Sequence, residues 1–152
     1  MFSWFKKALP RYPEDCQWDI MEGKHGEKSM FVRRNTTAAS FAGHPEYRHR
    51  VGVAIPLIAA TELGLPTGEE MEQLNAIEDA LNLALCVSQN SLQVLVVTTS
   101  GMREFIYYTR DPKTCPAALS KLEAAIGPHK LQAYIAEDAT WSVYAQFSAG
   151  VA

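Results

Sequence analysis

The stretch SLQVLVVTTSGMREFIYYT, residues 91–109, contains two strand-like runs joined by a short turn. Within residues 91–99, positions 92–97 form an apolar run that only Gln93 interrupts, which is typical of a strand buried on both faces. The Ser-Gly pair that follows supplies a two-residue turn, and residues 102–109 run back as a second strand. The sequence therefore predicts a β-hairpin here.

The elements on either side of this hairpin follow from the period of their apolar residues. Apolar side chains at every second position indicate strands, and intervals of three and four indicate helices. By this criterion a strand and a helix precede the hairpin and a helix and a strand follow it, at residues 47–57, 67–87, 116–126 and 131–136. The order β-α-β-β-α-β predicts an α+β fold with a ferredoxin-like core at about residues 47–136.

An additional N-terminal β-hairpin is predicted at residues 16–34, where two strand-like runs flank a glycine-rich turn. A leader segment at residues 1–15 precedes it, and a C-terminal segment at residues 137–152 follows the core. A chain of 152 residues is long enough for one hydrophobic core. We therefore expect residues 1–152 to form a single domain.

The apolar strand at residues 91–99 raises a question about the edge of the sheet. In a ferredoxin-like sheet the strand that follows the first helix normally lies at an edge, and an open apolar edge promotes aggregation. We predict that the N-terminal hairpin extends the sheet there or packs over the open face. A homodimer contact is the alternative.

Composition favours a folded, non-membrane protein. Hydrophobic residues make up 47% of the chain, and no stretch reaches the roughly 18 apolar residues that a membrane helix requires. At the N-terminus Lys6 and Lys7 follow a very short apolar run, whereas a secretory signal places its positive charge first. These features predict a cytoplasmic protein.

The sequence contains no recognisable catalytic or metal-binding motif. Three widely spaced cysteines, an odd number, argue against a disulfide framework and against a zinc site. Of the four histidines only His44 and His49 are close, and Pro45 disfavours a helical arrangement of the two. Nucleophile elbows, phosphate-binding glycine loops and metalloprotease motifs are missing. We therefore predict no catalytic residue, no metal and no cofactor.

The charge of the chain is unevenly distributed. The net charge is −3, with +3 in residues 1–60 and −6 in residues 61–152. An acidic chain binds nucleic-acid phosphates poorly, so a nucleic-acid partner is disfavoured. A basic patch in the first third of the chain supports nucleic-acid binding, but this is the weakest of three functional hypotheses because the whole chain is acidic.

Glu78 lies at the flank of the apolar stripe of the helix at residues 67–87. A carboxylate at this place has to reach solvent or find a donor, because an unpaired buried charge is very costly. We predict a partly buried polar cluster of Glu78, Arg103 and Tyr108, with Arg103 as the leading partner because it binds carboxylates bidentately. Tyr107 and Arg50 are further donors, and a structural ion pair is favoured over a catalytic group.

The segment Asp138-Ala-Thr-Trp141-Ser-Val-Tyr144 combines a carboxylate with aromatic residues at intervals of three. Asp138 is expected to cap a following turn, with Trp141 and Tyr144 closing one end of the core. Aromatic residues with polar tips are also common binding anchors, so an aromatic binding surface at Asp138, Trp141 and Tyr144 is the alternative.

Taken together, these residues resemble a bacterial family catalogued as domain of unknown function 695. The resemblance extends from Cys16 to Phe147 and is carried by Trp18, Gly64-Leu65-Pro66, Glu70, Leu74, Ile77-Glu78-Asp79, Thr98 to Glu104, Tyr108 and Asp138 to Tyr144. More distantly, the pattern is similar to the ribonuclease E inhibitor B family, small bacterial proteins that bind an enzyme. Lys24-His25-Gly26 departs from the Asp-Gly turn of the family. The resemblance implies no catalytic residue.

Three functions are therefore weighed. The favoured hypothesis is a non-enzymatic domain that has a protein partner and a regulatory or interaction role. The alternative is a small-molecule-binding protein, or an unrecognised enzyme, with a cleft near Glu78, Arg103 and Tyr108. The third is the nucleic-acid binder. A fold-level analogy does not discriminate among them.

Overall fold

The computed structural model describes residues 11–147. Six strands and three α-helices occur in this range, and short 3-10 turns connect some of them. In chain order they are β1 Trp18–His25, β2 Lys28–Asn35, β3 His49–Pro56, α1 Gly68–Leu85, β4 Ser91–Thr99, β5 Met102–Thr109, α2 Cys115–Ala125, β6 Gln132–Glu137 and α3 Ser142–Gln146. The predicted α+β class is confirmed. The predicted leader falls partly, and the end of the C-terminal segment wholly, outside the described residues.

All six strands belong to one antiparallel sheet in the order β1-β2-β4-β5-β3-β6. Strand β2 pairs with β1 on one side and with β4 on the other, in a register that places Arg33 opposite Val96. The apolar strand β4 therefore has a hydrogen-bonded neighbour on each side, and β1 is the strand at that edge of the sheet.

Hydrophobic clusters cover both faces of the sheet. On one face α1 and α2 pack against the strands through a buried cluster that includes Val53, Leu74, Leu81, Val96, Phe105, Tyr107 and Leu119. On the other face α3 and the loop after β2 enclose a second cluster that includes Val32, Phe41, Tyr47, Leu95, Tyr108 and Trp141. We call these the helix face and the opposite face of the sheet. Among residues 11–147, no helix is both long and apolar enough to cross a membrane.

A β-bulge in β4 changes which side chains reach the helix face. The pairing with β5 shifts between Gln93, which lies opposite Tyr107, and Leu95, which lies opposite Ile106. Val94 and Leu95 both pack on the opposite face, so the strict alternation of the strand is broken there. As a consequence Gln93, the one polar residue in the apolar run, lies on the same face as α1.

Gly52 in β3 allows a close approach by a tyrosine from the neighbouring strand. It pairs with Tyr134 of β6, and a Cβ built at position 52 would lie 2.2 Å from Cε1 of that ring. The ring is held where it is because its hydroxyl donates a hydrogen bond of 2.7 Å to Glu104 and because Arg50 lies over its face, 5.5 Å from the ring centroid. Only glycine leaves room for this arrangement.

We therefore expect Gly52→Ala to displace the Tyr134 ring and to lower the free energy of unfolding by about 1–2 kcal/mol. In a Tyr134→Ala background the same change should be neutral or stabilising, because alanine loses less chain entropy than glycine on folding. Chemical denaturation of the four proteins of this double-mutant cycle measures the coupling. Equal effects of Gly52→Ala in both backgrounds would show that the close approach carries no cost.

Candidate functional site: a groove between the first helix and the N-terminal hairpin

The structure separates Tyr108 from the other two residues of the predicted polar cluster. Glu78 on α1 and Arg103 on β5 are both buried, with 9% and 7% of their surface exposed. Both lie on the helix face. Along β5, Arg103 points to the same face as Phe105 and Tyr107, because every second residue of a strand shares a face. Tyr108 lies on the opposite face, stacked on Trp141 at a ring-centroid distance of 4.1 Å. The inclusion of Tyr108 in the cluster is therefore wrong, because adjacent residues of a strand point to opposite faces.

Glu78 has a different arginine partner from the predicted one. Its Oε2 atom forms an ion pair with Arg33 of β2 and accepts a hydrogen bond of 2.8 Å from Nε2 of Gln93. The prediction that Arg103 is the leading partner is wrong, because the pairing of β2 with β4 brings Arg33 closer to the helix. The side chain of Glu78 is 11% exposed and that of Arg33 is 38% exposed, so the pair lies at the edge of the core.

Further hydrogen bonds extend this ion pair into a chain of polar side chains. Gln93 accepts a bond of 3.2 Å from Nδ2 of Asn82, and Oδ1 of Asn82 accepts one of 2.7 Å from the Tyr107 hydroxyl. Burial, and then the nearby Cys86 and Glu78, raise the pKa of Tyr107 well above its ordinary value, so the hydroxyl remains a donor. We call these five residues the Glu78 network: Arg33, Glu78, Asn82, Gln93 and Tyr107.

Arg103 has no carboxylate partner among the described residues. Its Nε atom donates to the Thr98 hydroxyl at 2.8 Å, and its Nη2 atom donates to the sulfur of Met71 at 3.4 Å. Burial lowers the pKa of this guanidinium and the nearby Arg33 lowers it further, while Glu78 and Glu70 act in the opposite direction. A guanidinium has five N–H donors and a thioether is a weak acceptor, so most of the donor capacity of Arg103 is unused.

These residues line an open groove on the helix face. Two adjoining hollows of about 360 and 380 Å³ share Ile20 and Arg33 and together form what we call the α1–hairpin groove. One wall is formed by four residues of α1 that follow each other at intervals of four, three and four: Met71, Asn75, Glu78 and Asn82. Strands β2, β4 and β5 form the floor beside this wall. The residues that define the groove are Trp18, Ile20, Phe31, Arg33, Leu65, Met71, Asn75, Glu78, Asn82, Val96, Thr98 and Arg103.

The rim of the groove is apolar and exposed. Ile20 on β1 is 75% exposed and Met71 on α1 is 37% exposed. At the other end the ring of Trp18 lies 5.1 Å from the guanidinium of Arg33, which is within range of a cation–π interaction. Met71 follows the apolar period of the helix, yet it lies at this rim because the β1–β2 hairpin extends the sheet beyond α1. The groove therefore combines apolar edges with a charged floor.

The second predicted set, Asp138, Trp141 and Tyr144, forms no exposed surface. Trp141 is fully buried, and its Nε1 atom donates to the carbonyl oxygen of Tyr47 at 2.8 Å. Tyr144 is 3% exposed, and its hydroxyl donates to the carbonyl oxygen of Asn35 at 2.6 Å. The three residues lie at one end of the core on the opposite face, so the alternative of an aromatic binding surface has no support in their exposure.

Asp138 caps α3 and joins it to the sheet. Its Oδ1 atom accepts from the backbone N–H and from the hydroxyl of Ser142, each at 2.8 Å. Its Oδ2 atom accepts from the Tyr108 hydroxyl and from Nη1 of Arg50, each at 2.7 Å. Burial by itself would raise the pKa of this carboxyl, but the hydrogen bonds outweigh it and hold the pKa well below its ordinary value.

A buried hydrogen bond between Glu70 and His129 was not visible in the sequence. His129 Nε2 lies 2.8 Å from Glu70 Oε1, and each side chain is only 2% exposed. Glu70 Oε2 also accepts from the backbone N–H groups of Ile58 and Ala59, at 2.5 and 3.4 Å. The carboxylate therefore fastens the start of α1 to the loop before it and to the segment after α2. The two partners are 59 positions apart in the sequence, so no local pattern reveals the pair.

Two buried thiols and the possible metal ligands are the other candidates for chemistry among the described residues. Burial raises the pKa of the Cys86 thiol to about 12 and also raises that of Cys115, so neither is a ready nucleophile. Within residues 11–147, no three His, Cys, Asp or Glu side chains converge as metal ligands would. What the groove offers chemically is hydrogen-bond donors and apolar contact surface.

The fold and the groove define an α+β domain with one six-stranded antiparallel sheet and a polar, apolar-rimmed groove on its helix face. Residues 16–148 match the profile of a family described as "Family of unknown function (DUF695)", which confirms the predicted resemblance. The chain belongs to this family. No curated protein and no solved structure matches it. The more distant resemblance to the ribonuclease E inhibitor B family has no match behind it and stays a prediction.

We expect Asp138→Asn to lower the free energy of unfolding by about 3 kcal/mol at pH 7, because it leaves the partly buried Arg50 without its charge partner. The lowered pKa means that the unfolded chain binds a proton more readily than the folded one. The stabilisation is therefore complete above pH ~5, begins to decrease as the pH falls below ~4, and is lost progressively toward the lowered pKa of the folded state. The difference between wild type and variant, measured by urea denaturation, should shrink over that range.

Glu137→Gln is the matched control, since Glu137 is the adjacent residue and pairs with Arg48 at an exposed position, where its side chain is 63% exposed. Surface pairs contribute about 0–1 kcal/mol. If the two variants showed the same loss and the same pH dependence, the buried bonds of Asp138 would not be the cause.

We also expect Glu78→Gln to destabilise the fold by about 1–3 kcal/mol, because Arg33 loses its carboxylate while the shape of the side chain is kept. Asp79→Asn, a change at the next and exposed position of α1, should have little effect. Denaturation curves at neutral pH compare the two. Equal stabilities would mean that the Glu78 network does not contribute to holding the hairpin against α1.

Proposed function

We propose that this protein is a non-enzymatic binding domain that engages a protein partner through the α1–hairpin groove. The observation that carries the proposal is the buried guanidinium of Arg103, which has no carboxylate partner among the described residues and lines a groove with an exposed apolar rim. A buried charge without a partner of opposite sign is costly, and sites of this kind are kept for recognition.

Binding is favoured over catalysis by the state of the candidate nucleophiles and bases. The buried thiols have raised pKa values, and His129 is engaged with Glu70. The carboxylate of Glu78 is engaged with Arg33 and Gln93. A catalytic site needs a nucleophile and a base within reach of each other and of a substrate. The groove supplies donors and contact surface instead.

A protein partner is favoured by the shape and rim of the groove. The two hollows run side by side along the stripe of α1 formed by Met71, Asn75, Glu78 and Asn82. Exposed apolar side chains beside polar ones, such as Ile20 next to Arg33, are typical of protein contact surfaces. An open groove of this form accommodates a segment of another chain.

The proposal includes a ferredoxin-like classification of the core. Support comes from the chain order β3-α1-β4-β5-α2-β6 together with the sheet order β4-β5-β3-β6 within the larger sheet. In this interpretation the β1-β2 hairpin is an addition at the β4 edge. A cytoplasmic site of action is supported by three cysteines that are all free thiols.

A small-molecule ligand is the second candidate. It is favoured by one observation, the hollow of about 360 Å³, whose lining is mostly apolar and has four polar residues, Arg33, Asn75, Thr98 and Arg103. Ligand pockets typically have this size and this mixture of a few polar groups with apolar walls. Native mass spectrometry of the purified protein would show a tightly bound metabolite directly.

The proposed function is tested by Ile20→Glu, which places a charge at the rim of the groove. We expect it to lower recovery of a specific protein partner from the source lysate by about tenfold, because burying the new carboxylate against apolar surface is unfavourable. Partner recovery is measured by tagged pull-down with quantitative mass spectrometry.

Leu83→Glu is the matched control, since Leu83 is 77% exposed on α1 and is not among the residues that line the groove. It should retain the partner. A partner that both variants recover equally would remove the groove from the proposal, and a partner lost only with Leu83→Glu would move the binding surface to that face of α1.

A further inference from the structure

We infer that the α1–hairpin groove recognises an acidic side chain in an extended segment of the partner, with Arg103 binding the carboxylate. Apolar side chains toward β1 hold a second residue of the same segment. This inference rests on the proposed function and adds the chemistry of the ligand to it.

The first step concerns what Arg103 lacks. The residue is only 7% exposed, and its two hydrogen bonds go to a neutral hydroxyl and to a sulfur. A carboxylate forms paired, charge-assisted hydrogen bonds with a guanidinium, in a planar geometry that lysine does not reproduce. An incoming carboxylate would therefore satisfy donors that Thr98 and Met71 leave unused. The Nε bond to Thr98 also fixes the orientation of the guanidinium plane.

The second step concerns the charge of the ligand. Arg33, the other guanidinium in the groove, is already paired with Glu78 and lies over Trp18. One cation is therefore available, which matches a single negative charge. Phosphate groups are typically bound by clusters of arginines, and the groove has no second free arginine among its described residues. This balance favours a carboxylate over a phosphate.

The third step concerns the direction of the segment. Arg103 lies opposite Thr98, and Thr98 lies opposite Phe31, so one row of side chains runs from β5 to β2. That row continues to Glu22 on β1, where a second carboxylate would be repelled. The acidic residue of the ligand is therefore placed at the Arg103 end, and an uncharged residue at the β1 end.

The fourth step concerns spacing. Three inter-strand steps of ~4.8 Å separate β5 from β1, which is about 14 Å across the sheet. Ile20 lies opposite Arg33, two residues along β1 from the row of Arg103, so that Arg103 and Ile20 are about 16 Å apart. An extended chain advances ~3.3 Å per residue and covers this distance in four or five residues. The geometry points to an acidic residue and an apolar residue four or five positions apart.

The test is selection of random nine-residue peptides displayed on phage against the full-length protein. We expect the selected peptides to carry Asp or Glu with an apolar residue four or five positions away. A synthetic selected peptide should lose about tenfold or more in affinity when its acidic residue becomes the corresponding amide, because a charged hydrogen bond is lost. Affinities are measured by titration calorimetry.

Arg103→Met removes the guanidinium and keeps an unbranched side chain. With this variant the acidic peptide and its amide analogue should bind equally, so that the tenfold ratio becomes about one. Arg103→Lys keeps the charge without the paired geometry and should show an intermediate ratio. Circular dichroism tests whether each variant is folded. If Arg103→Met is not folded, the affinity ratio measured with Arg103→Lys decides whether Arg103 binds the carboxylate.

The outcomes separate this inference from the proposed function. Peptides that require Ile20 but show no preference for an acidic residue would overturn the carboxylate assignment and leave the groove as the binding surface. If no peptide bound and hexanoate alone shifted the Arg103 Nε–Hε signal in NMR spectra, the site would belong to a small carboxylate ligand. If neither peptides nor hexanoate acted on the groove, both proposals would fail.

Discussion

Strand β4 is apolar on both faces, and this constraint governs the rest of the structure. Such a strand has to be covered above and below and hydrogen-bonded along both edges, because exposed apolar surface and open strand edges are unfavourable. Helix α1 covers it on the helix face, and the hydrophobic cluster that includes Trp141 covers it on the opposite face. Strands β5 and β2 occupy its edges. Each of these neighbours brings polar residues with it, and those residues make the site.

The pairing of β2 with β4 has two consequences for that site. It places Arg33 beside α1, where it forms an ion pair with Glu78. It also extends the sheet past the helix, so that α1 does not cover the hairpin on that face. The α1–hairpin groove is the space between the helix and this extension. Because Arg33 satisfies Glu78, Arg103 is left as the cation without a carboxylate. The edge strand, the ion pair and the groove therefore have a single structural cause.

In the proposed function, the two faces of the sheet have different roles: one stabilises the fold and the other binds the partner. On the opposite face Asp138 has its hydrogen-bonding capacity filled by Ser142, Tyr108 and Arg50, and Trp141 is fully enclosed. Such saturated networks hold elements together and leave nothing for a ligand. On the helix face the donors of Arg103 are only partly used, beside exposed apolar residues. Incomplete satisfaction is what distinguishes a binding site from an interior network.

By itself the sequence determined the elements and the α+β class, because periodicity and turn residues are local signals, and its motifs carried the resemblance to the family. It also placed Glu78 at the flank of the apolar stripe of α1 and gave Asp138 as a cap, since each follows from its place along one element. Only the tertiary structure decided the partners: Arg33 with Glu78 across 45 residues, Arg50 with Asp138 across 88, and His129 with Glu70 across 59. Strand order and the bulge at Gln93 bring these partners together in space, and neither can be predicted from the spacing of residues along one element. Pairing between distant residues is a property of how the elements assemble.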